Sequence, residues 1–254
     1  MFDGLKSLFG VSNEEKKVAL TDYSAVGVDL HSHLIPGIDD GSKSLEDSMA
    51  ILREFKALGF KKIITTPHVI RDSYNNSTET LLNGKAQILA AIAEEKLNIE
   101  FDVSAEYYMD ETIYERIEKK DFIPIGKNYV LVELSYLEKM NNTSDLFYKL
   151  QVAGYKIILA HPERYPFYYE KDFHTYKSFK DRNIYFQLNI GSLLGKYGGG
   201  AKQTAQRMID ENMIDFISSD LHTIKSIETL RECLQDKYLQ KLVSYPKLLN
   251  KTLL

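Results

Sequence analysis

Six histidines occur in the 254 residues, and five of them fall at or just past the end of a short apolar run. The run AVGVDLH from Ala25 ends in His31-Ser32-His33, and KKIITTPH from Lys61 ends at His68. YKIILAHPE from Tyr155 reaches His161, and MIDFISSDLH from Met213 closes with Asp220-Leu221-His222. Two further runs bring carboxylates: IEFDVSAE from Ile99 ends at Glu106, and YVLVELS from Tyr129 carries Glu133. In an extended His-x-His pair both side chains leave the chain on the same side, so both can reach one ion. Imidazole and carboxylate donors suit Zn, Mn or Fe, and the lack of a cysteine cluster argues against a structural thiolate site. Each element alone has an ordinary reading. His31 and His33 could be polar strand residues, Glu133 a buried acid paired with Lys or Arg, and His68 a cap on the next element. Gathered on one face, such a set would repel or stay unsatisfied without cations, which favours a metal site.

A cation stands beside these residues in His161-Pro162-Glu163-Arg164. Arginine is the preferred two-pronged partner of phosphate, so Arg164 is the candidate anchor; its competing role is a salt bridge to Glu163 or a helix acid. Arg71, in the loop after His68, is the next candidate for substrate binding. Asn189 and Ser192 close the sixth run, NIYFQLNIG, and read equally well as substrate contacts or as a plain turn. The run Gly198-Gly199-Gly200 lacks the Lys-Ser/Thr that follows a phosphate-binding P-loop, and reads as a flexible loop before a helix. The lone Cys233 has Leu239 six positions later, where a C-x5-R phosphatase needs arginine, so it reads as a packed structural cysteine.

To place these side chains together, the fold must bring strand ends from Ala25 to His222 onto one face. The seven runs are rich in Val, Ile, Phe and Tyr, and helical patterns separate them. Ser44 with Asp47 makes a capping-box start, followed by Leu45, Met49, Leu52 and Phe55 at helical spacing and Gly59 as a stop. Other helical segments span roughly 77–95, 110–119, 143–153, 170–181, 201–211 and 224–238. Repeated β-α alternation implies parallel strands buried on both faces, in a barrel or a doubly wound sheet. The site chemistry favours the barrel, whose C-terminal strand ends all meet on one face.

The bulk properties agree. A 254-residue chain with 44% hydrophobic residues holds one sizeable core, taken here as residues 25–254 behind an extension of residues 1–24. Both charge signs are mixed and the net charge is -4, unlike a general nucleic-acid binder. One cysteine cannot form an internal disulfide. No stretch approaches the roughly 20 apolar residues of a membrane span, and the N-terminus lacks a signal-peptide pattern, so a cytoplasmic location is expected. The segment Phe2 to Val11 is weakly amphipathic; it reads as a short capping helix, with a weak membrane-surface or partner contact as the other reading.

The stretches DLHSHLIPGIDDGSKSLEDSMAIL, TTPH, SAEYY, LVEL, AHPERY and SSDLH together give the chain a family resemblance. It resembles the polymerase-and-histidinol-phosphatase (PHP) superfamily from about Val28 to the C-terminus. Within it, the chain is similar to the manganese-dependent bacterial protein-tyrosine phosphatases encoded with capsule and exopolysaccharide genes. The resemblance implies an α/β fold, a distorted seven-stranded barrel, with three divalent ions at the C-terminal strand ends: Mn first, Fe or Zn as alternatives. By that resemblance one ion takes His31, His33, Glu106 and Asp220. A second shares Glu106 and adds Glu133 and His161. The third takes Asp40, His68 and His222, with the neighbouring Asp39 as an alternative to Asp40.

Three divalent ions outweigh four ligand carboxylates, and Arg164 adds to the surplus, which suits a phosphate dianion. A metal-bridging water that loses its proton near neutral pH would attack phosphorus in line, with no covalent intermediate. Asp220, His222 or bound water would protonate the leaving phenolate, whose intrinsic pKa is about 10. The implied substrate is phosphotyrosine in protein, in the tyrosine-rich tail of a bacterial tyrosine autokinase that controls polysaccharide export. One rival is a small-molecule phosphatase acting on histidinol phosphate or a nucleotide. An amidohydrolase would need an eighth strand and often a carbamylated lysine, which no strand-end lysine here supplies. A non-catalytic regulatory binding module would be expected to have lost ligands.

Overall fold

A computed structural model describes residues 20–254. The amphipathic segment Phe2 to Val11, and most of the expected N-terminal extension, lie outside the described residues. Strands and helices alternate as the hydrophobic pattern requires. The strands are β1 Val28–Asp29, β2 Lys62–Thr65, β3 His68–Val69, β4 Glu100–Val103, β5 Glu106–Tyr108, β6 Tyr129–Glu133, β7 Lys156–Ala160, β8 Tyr185–Asn189 and β9 Phe216–Ser218. The helices are α1 Leu45–Ala57, α2 Thr78–Glu94, α3 Thr112–Lys119, α4 Thr143–Val152, α5 His174–Asp181, α6 Gly199–Asp210, α7 Ile227–Cys233 and α8 Lys237–Val243.

All strand pairs are parallel, in a three-stranded sheet ordered β1-β2-β4 and a six-stranded sheet ordered β3-β5-β6-β7-β8-β9. Among the described residues, the expected seven strands in one closed sheet are therefore nine in two sheets. The reason is local. The runs 61–68 and 99–106 each break in the middle, at Thr66-Pro67 and at Ser104-Ala105, and Pro67 has no N–H to give a ladder. Single hydrogen bonds span the breaks: Thr66 N donates to Ser32 O at 2.7 Å, Ser104 N to Thr65 O at 2.9 Å and Glu106 N to Pro67 O at 3.1 Å. On the far side, a parallel bridge joins Ser32 to Leu221, and Asp220 N donates to His31 O at 2.8 Å.

Alternate strand residues face two apolar layers. Val28, Leu30, Ile64, Leu131, Ile158, Ala160 and Phe216 share one cluster. Ile63, Val130, Val132, Ile157, Leu159, Leu188 and Ile217 belong to a larger one that also takes in the helices. Burial of both faces is what near-continuous apolar strands require. Because every strand runs the same way, their C-terminal ends share one side of the molecule; His68 and Glu106, expected at strand ends, instead start β3 and β5 just past the breaks after β2 and β4.

The helix starts follow their caps. Ser44 accepts from Asp47 N and Asp47 reciprocates, so α1 opens on the expected capping box and buries Met49, Leu52 and Phe55; Leu45 stays exposed. The expected helix over 224–238 divides into α7 and α8, because Asp236 accepts from Tyr238 N and Leu239 N and starts a new helix. Gly199 and Gly200 form the first turn of α6 rather than a loop before it, with Gly198 at the cap. No helix among the described residues is long and apolar enough to cross a membrane.

Candidate metal centre

The strand ends deliver the histidines and acids to one place. His31 and His33 follow β1, His68 opens β3, Glu106 opens β5, Glu133 ends β6, His161 follows β7, and Asp220 and His222 follow β9. Asp40 comes from the turn after β1, which folds back through Ser42 N donating to His33 O at 3.0 Å. Glu106 is central. Its Oε2 lies 3.2 Å from His31 Nε2, 3.6 Å from His33 Nε2 and 3.1 Å from His68 Nδ1, and its Oε1 lies 2.9 Å from His161 Nε2. Asp220 Oδ1 stands 3.3 Å from His31 Nε2, 3.4 Å from His33 Nε2 and 3.5 Å from His222 Nδ1. Asp40 Oδ1 reaches His68 Nε2 at 3.6 Å and His222 Nε2 at 3.4 Å.

Among the described residues, four groups offer donor atoms that all lie within 4.8 Å of one another: His33-Asp40-His68-His222, His31-Glu106-His161, His31-His33-Asp220 and His68-Glu106-Glu133. They use all nine expected residues. Their overlap differs from the expected partition: the groups are four rather than three, Glu106 groups with His31 and His161 rather than with Asp220, Glu133 groups with His68 and Glu106, and His33 joins the Asp40 group. The donor set fits divalent cations on its own chemistry. His68 Nδ1 and Glu106 Oε2 are buried without hydrogen-bond partners, although 3.1 Å apart. Such groups are costly unless a cation takes up their lone pairs.

The electrostatics carry the same message. Burial pushes Glu133 well above the usual carboxylate range, and Glu106 beside it adds to the shift. Burial opposes ionisation of Glu106 too, yet His31 and His68 hold it well below its usual value. Burial would lower His31, but Glu106 and Asp220 raise it to about 9. Burial and Arg164 push His161 down to about 4. The hydrogen bond from His222 holds Asp40 down at about 2. Like charges so close cannot all ionise without added positive charge.

Behind the cluster, further residues orient the rings. Gln187 Oε1 faces His31 Nδ1 at 2.9 Å and accepts from His161 N at 3.3 Å. Asp39 Oδ2 faces His33 Nδ1 at 2.8 Å and accepts from His68 N at 3.1 Å. Asp39 thus backs a histidine, while Asp40 points among the donors. For His31 and His33, a ring nitrogen bonded from behind leaves the other free for an ion. The hydroxyl of Tyr136 lies 3.0 Å from His161 Nδ1 and 3.4 Å from its Nε2, so it faces both ring nitrogens. Neither Tyr136 nor Gln187 was singled out from the sequence. A buried glutamine in the apolar strand YFQLN was the available signal for one; nothing in the sequence marked the other. Two non-glycine residues here hold left-handed backbone, His161 at φ 31° and Asp220 at φ 51°. Such strain costs on the order of 1–3 kcal/mol per residue and tends to gather at functional sites.

Arg164 lies against the cluster. Its Nη1 donates to Asp220 Oδ2 at 2.8 Å, and its guanidinium lies 4.0 Å from the Tyr197 ring centroid and 5.1 Å from that of Tyr136. Glu163, its expected competitor, is buried and accepts instead from Ser192 Oγ at 2.6 Å and Asn189 N at 3.0 Å. Asn189 Nδ2 donates to Asp220 Oδ2 at 2.9 Å, so Asn189 and Ser192 both brace the site. Arg71 is exposed, with Asp72 and Glu111 at 3.6 and 4.0 Å, and it lines a cleft whose wall also includes Tyr74. Cys233 is buried and donates to Ile190 O at 3.3 Å, as a packed cysteine should.

The family model described as "Capsular polysaccharide synthesis, CpsB/CapC" matches residues 27–245. CapC of Staphylococcus aureus is 30% identical over 226 residues, covering 87% of this chain and 88% of its own. The tyrosine-protein phosphatase YwqE of Bacillus subtilis is 27% identical over 200 residues, 78% of each chain. A solved structure from the pair YwqE of Bacillus subtilis and CpsB of Streptococcus pneumoniae, described as unique metal-dependent tyrosine phosphatases, superposes with a TM-score of 0.75. It is 25% identical and covers 85% of this chain and 89% of that one.

Proposed function

The chain belongs to the CpsB/CapC family of capsular polysaccharide synthesis, and from that premise we propose that it is a metal-dependent phosphatase hydrolysing phosphotyrosine in protein. The observation that carries this reading is the convergence of five histidines and four carboxylates, in overlapping groups, on one side of the parallel strands. His31, His33, Glu106 and Asp220 would hold one divalent cation. Glu106, Glu133 and His161 would hold a second, and Asp40, His68 and His222 a third, with manganese the leading metal and iron or zinc the alternatives. The two sheets act together as one distorted barrel of the PHP type, built from the seven apolar runs, and residues 25–254 are the catalytic unit. When bound, the cations supply positive charge to the phosphoryl group and acidify water.

The chain's own residues do the remaining work. Arg164 offers its planar fork to the non-bridging phosphate oxygens. Asp220 and Asn189 hold that fork beside the cluster, and the rings of Tyr136 and Tyr197 restrict its swing. The proton shed by the attacking water would be returned to the leaving phenolate through His222, half-exposed at the rim, through Asp220 or through bound water. Cys233, buried on α7 with its thiol pushed up to about 12 by burial, takes no part. The substrate is the tyrosine-rich tail of a bacterial tyrosine kinase that controls polysaccharide export, met in the cytoplasm.

Parallel assays of the manganese-loaded protein on a phosphotyrosine peptide, histidinol phosphate and a nucleotide test the reading. The phosphotyrosine peptide should show the highest kcat/KM. A clear preference for histidinol phosphate or the nucleotide would overturn the substrate class.

A further inference from the structure

Most of the cluster is sealed from solvent, and a few of its members are not. His31, His33, Glu106, Glu133, His161 and Asp220 are buried, whereas His68, Asp40 and His222 reach solvent, with side-chain exposures of 13%, 53% and 26%. The ester group of a phosphate bound at the cluster can therefore leave past these three residues, on the side away from the 20%-exposed Arg164 or beside it. The ring of Tyr74 stands beside His68, one of the three. It stacks on the His68 imidazole at 5.5 Å between centroids and only 11° between planes. It also forms part of the wall of a cleft of about 260 Å³ with Arg71, Asn75 and Arg116, so it borders open space as well as the cluster.

The ring is held there firmly. Tyr74 N donates to Ile70 O at 2.9 Å and Ile70 N to Tyr74 O at 3.0 Å, closing a tight turn in which Asp72 takes φ 64°. Asn76 Nδ2 ties the turn to His68 O at 2.8 Å and to Ile38 O at 3.1 Å. A fixed, half-exposed aromatic ring beside an exposed part of an anion site is suited to an aryl group. Aromatic pairs gain from stacked or edge-on contact beyond the area they bury, and an alkyl chain gains less.

We propose that Tyr74 is a specificity-determining residue, packing against the phenyl ring of an aryl phosphate whose phosphoryl group lies at the cluster. The inference rests on the phosphotyrosine reading and implies that an alkyl phosphate binds less well at the same site. It makes no demand on the Tyr74 hydroxyl, so phenylalanine should serve.

The test compares two inert ligands, phenylphosphonate and methylphosphonate, titrated calorimetrically into manganese-loaded wild type, Tyr74→Ala and Tyr74→Phe, with metal content measured for each. Wild type should bind the phenyl ligand more tightly. The ratio of the two affinities should fall roughly three- to tenfold in Tyr74→Ala, the scale of one aromatic contact, and recover in Tyr74→Phe. An unchanged ratio in Tyr74→Ala overturns the proposal. So does loss of bound metal in that variant, because the ring would then serve only to hold His68. Absence of phosphotyrosine hydrolysis by the wild type would instead defeat the functional reading, which the ligand titration does not measure.

Discussion

Arg164 is the residue on which the chemistry can be dissected. It touches Asp220 but offers no lone pair to a metal, and Asp220 keeps Asn189 as a second donor when the arginine is removed. Arg164→Ala should therefore keep its metal while losing about 2–4 kcal/mol of transition-state stabilisation, the scale for one strong charge-stabilising donor. That is roughly 30- to 1000-fold in kcat/KM. Arg164→Lys should restore only part, since a point charge cannot make the two-pronged contact. His161→Ala should differ in kind and lose metal with activity. Metal analysis beside steady-state kinetics separates the two, and an Arg164→Ala protein as active as wild type would remove the arginine from the mechanism. Cys233→Ser should keep near wild-type turnover, because the thiol is buried and held protonated; loss of most activity in a folded variant would point to a thiol mechanism. At this scale the sequence is informative where a titratable side chain interrupts an apolar run, as at Glu133 and His161. It is silent where a residue acts through another. Tyr136 follows a strand in an ordinary way, and only the fold brings its hydroxyl to His161.

The turn after β1 shows how an element sets the site. His33 and Asp40 belong to one loop, closed by Ser42 N donating to His33 O and by Gly37 N donating to Ser42 O at 2.9 Å. Gly41 sits so close under His33 that an added Cβ would lie 2.2 Å from the His33 carbonyl oxygen. Gly41→Ala must push that backbone aside, at a cost of about 1–3 kcal/mol typical of overpacking. Because the displaced groups include His33 and Asp40, the variant should also bind metal more weakly. Thermal unfolding and metal titration would show both; a variant with unchanged metal affinity would mean the loop tolerates the shift. The strands and helices were largely legible, since period and caps are local signals. The breaks within runs 61–68 and 99–106 were not, because an apolar run shows no gap where the ladder fails. The Pro67 position was the visible hint for one of them. The division of α7 from α8 rested on Asp236, whose capping role competes with a continuous apolar pattern.

Over the whole molecule, nine side chains between His31 and His222 share one cluster, so the fold and the metal centre depend on each other. Cations bound only by the folded chain stabilise it by mass action, and stripping them should lower the melting temperature. The overall charge of -4 gave no sign of an anion-binding protein, because on the proposed reading the positive charge that phosphate needs is local and would come mainly from bound cations. The convergence of the ligand-type residues could be expected from parallel strands alone, but their overlap around Glu106 could not, since it depends on side-chain directions. The central claim is that cations held by this cluster are required for phosphotyrosine hydrolysis. Turnover of a phosphotyrosine peptide by chelator-stripped protein, before and after manganese is added back, tests it most directly. Activity should be abolished by stripping and restored by manganese; full activity in protein verified to be metal-free would contradict it.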